Sequence, residues 1–144
     1  MLERVRAAMP EARIDGVLLS EMVGEGVELI VGTRRDPLFG PLVMVGLGGV
    51  TAELFQDVSI RLAPVGDDEA LEMLRELRAF PLLDGWRGGA KADVAAAAGV
   101  VSALSALAAA NADHVETIEI NPLRVLAAGQ GAVALDAVIE TTGA

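Results

Sequence analysis

Three side chains near the carboxy end of the sequence combine oxygen ligands with a spacing that can bring them together. Glu119 and Asn121 are two residues apart in the alternating stretch HVETIEIN, and Asp136 follows a turn rich in alanine and glycine. Residues two apart in a β-strand point to one face, and a hairpin returns the next strand beside them. A turn at 128–131 predicts that Leu123 opposes Asp136, which puts Asp136 on the Asn121 face. Such oxygens suit a hard cation such as Mg²⁺, and the same pattern also fits a solvated sheet face.

Three further features have both a chemical and a structural interpretation. The run Gly46–Gly49 (GLGG) directly follows an apolar stretch, which indicates either a tight turn or a place where a ligand lies against the backbone. Arg87 and Gly88, followed by Lys91, offer cations and backbone donors to an anion, or else form an exposed loop. His114 is the sole histidine and opens a predicted strand, so we interpret it as structural.

The periodicity of apolar residues predicts the elements that must position these groups. The predicted strands cover 14–23, 27–31, 42–45, 55–62, 114–121, 123–127 and 132–139. Helices are predicted at 2–8, from a cap at Asp67, and at 94–110 between the capping residues Asp93 and Asn111, with a turn at 33–37 and a loop at 81–89. This order predicts an α+β fold, with a mainly antiparallel sheet covered by helices on one side. We expect residues 1–144 to form a single domain.

Composition excludes several classes of function. The formal net charge of −10 argues against a surface for nucleic acid or an anionic membrane. No cysteine is present, which excludes disulfides and thiolate metal sites. The uncharged stretch 94–110 is mostly alanine and short, so a buried helix is favoured over a membrane span. The mixed-charge amino terminus has no signal-peptide pattern, and we expect a cytoplasmic protein.

Four stretches together resemble a known family. They are GVELIVGTRRDPLFGPLVMVGLGGV, AELFQDVSIRLAP, LLDGWRGGAKAD, and EINPL with a following LDA. The set resembles the nucleotide-binding subunit or domain of ADP-forming acyl-CoA synthetases of the acetate–CoA ligase type, which belong to the ATP-grasp superfamily and are related to succinyl-CoA synthetase. The resemblance runs from about Leu2 to Ala137 and covers the carboxy-terminal lobe of that domain. The amino-terminal ATP-grasp portion, with its lysines and phosphate-covering loop, is not matched.

The resemblance implies roles for particular residues. It assigns the magnesium of the nucleotide to Asn121 and Asp136, with Glu119 as a further ligand. It assigns an adenine-binding hinge and a ribose contact to Glu21, Met22, Val23 and Glu28. From the residues alone, a strand end with a surface carboxylate is the favoured interpretation of the hinge stretch.

The resemblance also implies an activity and partners. The complete enzymes interconvert acyl-CoA, ADP and phosphate with acid, CoA and ATP through a phosphorylated histidine, so Mg²⁺ and ATP or ADP are the expected cofactors. The unmatched amino-terminal portion and the CoA-binding and ligase modules are the expected partners, and we expect no turnover by this chain alone. The alternative is a non-catalytic binding or assembly module. The mean hydropathy of +0.49 predicts self-association in either case.

Overall fold

A computed structural model describes residues 2–49 and 57–143, which form a six-stranded sheet and four α-helices. The strands are β1 (Val27–Asp36), β2 (Gly40–Leu47), β3 (Val58–Leu62), β4 (Val115–Val125), β5 (Ala132–Ala134) and β6 (Ala137–Thr141). The helices are α1 (Leu2–Ala8), α2 (Asp67–Glu76), α3 (Phe80–Leu83) and α4 (Val94–Ala110), and a 3₁₀ turn spans Trp86–Gly88. The strand order is β3-β2-β1-β4, β5 and β6 both pair with β4, and all pairs are antiparallel. The predicted α+β class is confirmed.

One face of the sheet packs against α2 and α4 and forms the core. Its strand residues alternate along β1, β2 and β4, and each is less than a tenth exposed: Leu29, Val31, Val43, Val45, Ile118, Ile120, Leu123 and Val125. Helix α4 meets them with small side chains, among them Ala97, Val101 and Ala108. Since aromatic residues make up only 3% of the chain, alanines bring this helix close enough to the sheet to fill the core without large rings.

The opposite face, which we call the open face, carries the alternate residues of the same strands. Val58, Ile60, Leu62 and Val138 on this face are 45 to 57% exposed. The polar residues of the open face lie on β1, β4 and β6 and are Glu28, Arg34, Thr117, Glu119, Asn121, Arg124 and Glu140. Every candidate magnesium ligand from the sequence therefore lies on the open face or at its edge.

The helix predictions are largely confirmed. α1 and α4 have the predicted bounds, and the Asp93 side chain caps α4 by accepting from the Ala96 N–H at 3.1 Å. The cap of α2 is Gly66, and Asp67 lies in the first turn, so the prediction of an Asp67 cap was wrong by one residue. The predicted loop 81–89 overlaps the short helix α3 and contains the 3₁₀ turn. Gly85, just before this turn, and Gly88 adopt positive φ.

Several strand predictions were wrong in existence or bounds, and the two strands predicted at 114–121 and 123–127 form the single strand β4. The 14–23 stretch is not a strand, because it has no ladder partner among the described residues; Leu18 and Leu19 are at least 90% exposed. β1 continues to Asp36, because the Asp36 carboxylate accepts from the N–H groups of Leu38 and Phe39 at 2.8 and 2.9 Å and starts the turn there. The predicted last strand is divided into β5 and β6 by Leu135 and Asp136. Residues 55 and 56 of the predicted third strand lie outside the described residues.

Helix α4 was the candidate for a membrane span in the sequence. It has 17 residues, and among the described ranges no helix is both long and apolar enough to cross a bilayer.

Candidate functional site

A small cleft on the open face brings the three predicted cation ligands together. Glu119, Asn121 and Asp136 line it with Ala137 and Val138, and its volume is about 150 Å³. A main-chain hydrogen bond joins the two sides of the cleft, since the Asn121 N–H donates to the Asp136 carbonyl at 3.1 Å. The amide of Asn121 donates to the Glu119 carboxylate at 3.2 Å. The predicted convergence is therefore present in the structure.

The pairing behind this convergence differs from the predicted one by two residues. Leu123 opposes Ala134, not Asp136, and Val125 opposes Ala132. The shift preserves the convergence because side chains alternate with a period of two, so an even slip leaves Asp136 on the Asn121 face.

The hairpin is shorter than predicted because its turn residues bond to the segment before α4. Ala128 N–H donates to the Lys91 carbonyl at 2.8 Å, and the Gly129 and Gly131 N–H groups donate to the Asp93 carboxylate at 3.0 and 2.9 Å. The Gly131 amide, followed by that of Ala96, holds the pKa of Asp93 below its ordinary 3.8. These bonds take the turn residues 127–130 away from the β4–β5 pairing, whereas the Leu126 N–H still donates to the Gly131 carbonyl at 3.0 Å.

The donor set of the cleft fits a hard cation. The NH₂ group of Asn121 donates its hydrogen bond to Glu119. The amide oxygen of Asn121 can therefore face a cation, together with the Asp136 carboxylate. All three side chains are exposed, which leaves room for water and phosphate oxygens in the coordination shell. Within the described ranges no group of three or more His, Cys, Asp or Glu offers a metal site. The cleft could therefore supply only part of a coordination shell, and the metal role of its residues stays a prediction.

The predicted hinge lies at one edge of the open face. Glu21 and Met22 are exposed, and Met22 is 93% so. The Val23 carbonyl accepts from the guanidinium of Arg124 at 3.4 Å, and Glu28 forms an ion pair with the same group. Arg124 is the residue that the sequence interpretation missed, although an arginine inside the apolar strand INPLRV was a signal for it.

A second cleft of about 510 Å³ adjoins the first and shares Glu119 and Val138 with it. Its floor is apolar, with Leu42, Met44 and Ile60. Its polar lining residues are Thr33, Arg34, Thr117, Glu119 and Glu140. The candidate cation site therefore lies at the edge of a larger, partly apolar depression.

The predicted anion-binding residues are not part of this region. Arg87 adopts positive φ, and its guanidinium lies 6.0 Å from the centre of the Trp86 ring. Lys91, which the sequence placed beside it, pairs with Asp84 at 2.8 Å. Arg87 and Gly88 are exposed on the 3₁₀ turn, and their anion role stays a prediction. His114 is exposed just before β4, and its carbonyl accepts from the Thr142 N–H at 3.0 Å.

Comparison with known proteins identifies the family. A model of the ATP-grasp domain matches residues 1–141. The chain belongs to the ATP-grasp family. This ATP-grasp chain is 46% identical over 135 residues to acetate–CoA ligase (ADP-forming) I of Archaeoglobus fulgidus, covering 92% of the chain and 19% of the relative. It is 38% identical over 141 residues to the beta subunit of acetate–CoA ligase (ADP-forming) II of Pyrococcus furiosus, covering 98% of the chain and 60% of that subunit.

Solved structures show the same similarity. Protein PH1788 of Pyrococcus horikoshii matches with a TM-score of 0.83 and 35% identity, over 98% of this ATP-grasp chain and 59% of that one. A complex of acetyl-coenzyme A synthetase 1 of Candidatus Korarchaeum cryptofilum with coenzyme A and Mg-AMPPCP matches with a TM-score of 0.77 and 38% identity, over 83% and 55% of the two chains. The chain thus spans 60% of the Pyrococcus furiosus subunit and 19% of the Archaeoglobus fulgidus ligase.

Proposed function

We propose that this chain is the nucleotide- and magnesium-binding lobe of an ADP-forming acyl-CoA synthetase. The observation that carries the proposal is the convergence of Glu119, Asn121 and Asp136 on the open face of an ATP-grasp sheet. Their oxygens would hold Mg²⁺, which would supply positive charge to the phosphates of ATP or ADP during phosphoryl transfer. The similarity to a synthetase complexed with Mg-AMPPCP supports this choice of ligand.

The hinge would bind the other end of the nucleotide. Glu21, Met22 and Val23 offer backbone groups beside the open face, and Glu28 lies on β1 at the same edge. Arg124, which contacts Glu28, lies three positions after Asn121 on β4, or roughly 10 Å along an extended strand. That separation suits a nucleotide lying along β4 with its base at the hinge and its phosphates at the cation ligands.

The complete reaction would convert acid, CoA and ATP into acyl-CoA, ADP and phosphate, through a phosphohistidine carried on another module. This lobe would contribute binding and orientation, and we expect no turnover from it alone. An amino-terminal ATP-grasp portion and CoA-binding and ligase modules would complete the site, consistent with the 60% coverage of the Pyrococcus subunit. The alternative function, a non-catalytic assembly module, would use the exposed apolar residues of the 14–23 stretch, such as Leu18 and Leu19, to contact another chain.

Calorimetric titration of the chain with ADP, with and without Mg²⁺, tests the proposal. We expect binding that depends on Mg²⁺ and weakens about ten-fold or more in Asn121→Ala and in Asp136→Ala, because each change removes a cation ligand. Asp113→Ala is the matched control, since it removes an exposed carboxylate before β4 and outside the cleft. Magnesium-dependent binding that survives in both variants would exclude these residues as ligands, and equal loss in the control would show that the effect of Asp136→Ala is one of net charge.

A further inference from the structure

Arg124 contacts both the hinge backbone and Glu28, and the sequence alone did not predict these contacts. Its Nη1 donates to the carbonyls of Val23 and Gly24 at 3.4 and 3.3 Å, and its Nη2 pairs with the Glu28 carboxylate. The contacts to Val23 and Gly24 join residues about a hundred positions apart in the sequence. A single guanidinium thus connects β4 to both parts of the proposed nucleotide contact, the hinge backbone and the acid on β1.

A second feature brings the hinge onto the same strand. A Cβ added to Gly26 would lie 2.5 Å from the Val125 carbonyl oxygen and 2.9 Å from Cγ of Arg124. Any side chain at this position would displace the backbone, so glycine permits this stretch to approach β4 closely. Close approach at Gly26 and hydrogen bonding at Val23 and Gly24 together hold a stretch that otherwise lies outside the sheet ladder.

The polar atoms of the Arg124 side chain are used mainly to contact the hinge and Glu28. It is 24% exposed, and its Nε has no partner within the described part of the chain, so its polar contacts are directed to the hinge and Glu28. The planar fork of arginine donates to several acceptors at once, whereas the single ammonium of lysine does not reproduce that geometry. Only one oxygen of Glu28, Oε1, is taken by Arg124, and the other is 3.5 Å from the Cβ position of Gly49.

We propose that Arg124 is a positioning residue, which holds the hinge carbonyls and the Glu28 carboxylate in the arrangement that receives the base and ribose of the nucleotide. The inference rests on the proposed function for its ligand, and on the contacts of Arg124 for its mechanism. Preorganisation of this kind lowers the entropic cost of binding, because the hinge is already ordered when the nucleotide arrives. Arg124 acts through the hinge and Glu28 and takes no part in the phosphoryl chemistry.

The first arm of the test needs no ligand. Backbone ¹⁵N order parameters of Gly24 and Gly26 are measured in the full chain, in Arg124→Gln and in Arg124→Lys. We expect values typical of rigid backbone, about 0.85, in the wild type and below about 0.6 in Arg124→Gln, with Arg124→Lys between them. The control is Arg61→Gln, which removes a guanidinium of similar exposure, 31%, that pairs with Glu76 on α2. Equal order parameters in the wild type and Arg124→Gln would overturn the proposal.

The second arm compares ADP with magnesium pyrophosphate, which lacks the base and ribose. We expect Arg124→Gln to weaken ADP binding about ten-fold, as for loss of charge-assisted hydrogen bonds, and to leave pyrophosphate binding unchanged. Equal weakening of both ligands would refute positioning at the base end. A wild-type chain that binds neither ligand would instead count against the proposed nucleotide site, and the order parameters alone would then decide whether Arg124 holds the hinge.

Discussion

At the scale of single residues, the described structure relies on side chains that satisfy backbone groups far away in the sequence. Asp93 both caps α4 and accepts from two glycine amides of the β4–β5 turn. Ser105 is fully buried on α4 and accepts from the Val65 N–H at 3.0 Å. Each links an element to a loop whose main-chain donors would otherwise lack partners.

Asp93 should make the stability of the chain depend on pH. The Gly131 and Ala96 amides lower its pKa in the folded state, so its contribution is fully present above the unfolded pKa, near 3.9, and is lost as the pH falls through the lower folded value. We expect the melting temperature of Asp93→Ala to lie below that of the wild type at pH 7 and the gap to close below about pH 4. Thermal melts between pH 7 and pH 2 measure this. A gap that stays constant down to pH 2 would contradict the assignment.

Ser105→Ala should destabilise the fold through an unsatisfied donor. The change leaves the N–H of Val65, a residue 4% exposed, without the hydroxyl that accepts from it. We expect a loss of about 1–3 kcal/mol in the free energy of unfolding, measured by urea denaturation. Ser102→Ala on the same helix is the control, because the part-buried Ser102 enters this network only through its backbone carbonyl. An equal effect of the two changes would disprove the role of the hydroxyl.

At the scale of elements, the start of strand β1 is in close contact with the backbone of Gly48, which follows β2. Gly48 donates its N–H to the Glu28 carbonyl at 2.8 Å, and a Cβ on Gly48 would lie 3.0 Å from the carbonyl carbons of Glu28 and Leu29. This contact with β1 accounts for Gly48 in the GLGG run on structural grounds. A ligand beside that run stays a prediction.

Gly48→Ala should therefore destabilise the sheet, and Gly99→Ala should not. In the first variant the new methyl meets backbone that cannot move without shifting β1, and we expect a loss of about 1–3 kcal/mol. Gly99 lies inside α4 with nothing within 4 Å of its Cβ position, so alanine there should stabilise the helix by up to about 1 kcal/mol. Urea denaturation of both variants is the measurement, and a stabilising Gly48→Ala would rule out the close approach.

At the scale of the whole molecule, the exposed apolar residues of the open face should drive association. Val58, Ile60, Leu62 and Val138 lie there, and the exposed 14–23 stretch offers a second apolar surface. We expect the chain to self-associate as its concentration rises, and more so in high salt, because salt screens the repulsion from a net charge of −10.

Two variants locate the surface involved. Ile60→Lys places a charge on the open face, and Leu18→Lys places the same charge on the 14–23 stretch, where Leu18 is 90% exposed. Analytical ultracentrifugation should show weaker association for Ile60→Lys than for Leu18→Lys. The reverse order would place the interface on the 14–23 stretch, and a strict monomer at high concentration would show that the expectation of self-association is wrong.

Much of the architecture follows from local patterns. The bounds of α4 were predictable because Asp93 and Asn111 flank a long uncharged run, and the meeting of Asn121 and Asp136 was predictable because alternation tolerates an even slip in register. The 14–23 stretch was mispredicted for the opposite reason. Its composition is typical of a strand, but a strand requires a partner, and composition carries no information about whether one is present.

The sequence by itself determined the family, the α+β class and the three candidate cation ligands, because these depend on motifs and on periodicities within one segment. Only the tertiary structure decided that Asp93 draws the β4–β5 turn out of the ladder and that Arg124 contacts Val23, Gly24 and Glu28. Both features join residues that are distant along the chain. Their partners are selected by the packing of helices and strands around the sheet, which no local pattern specifies.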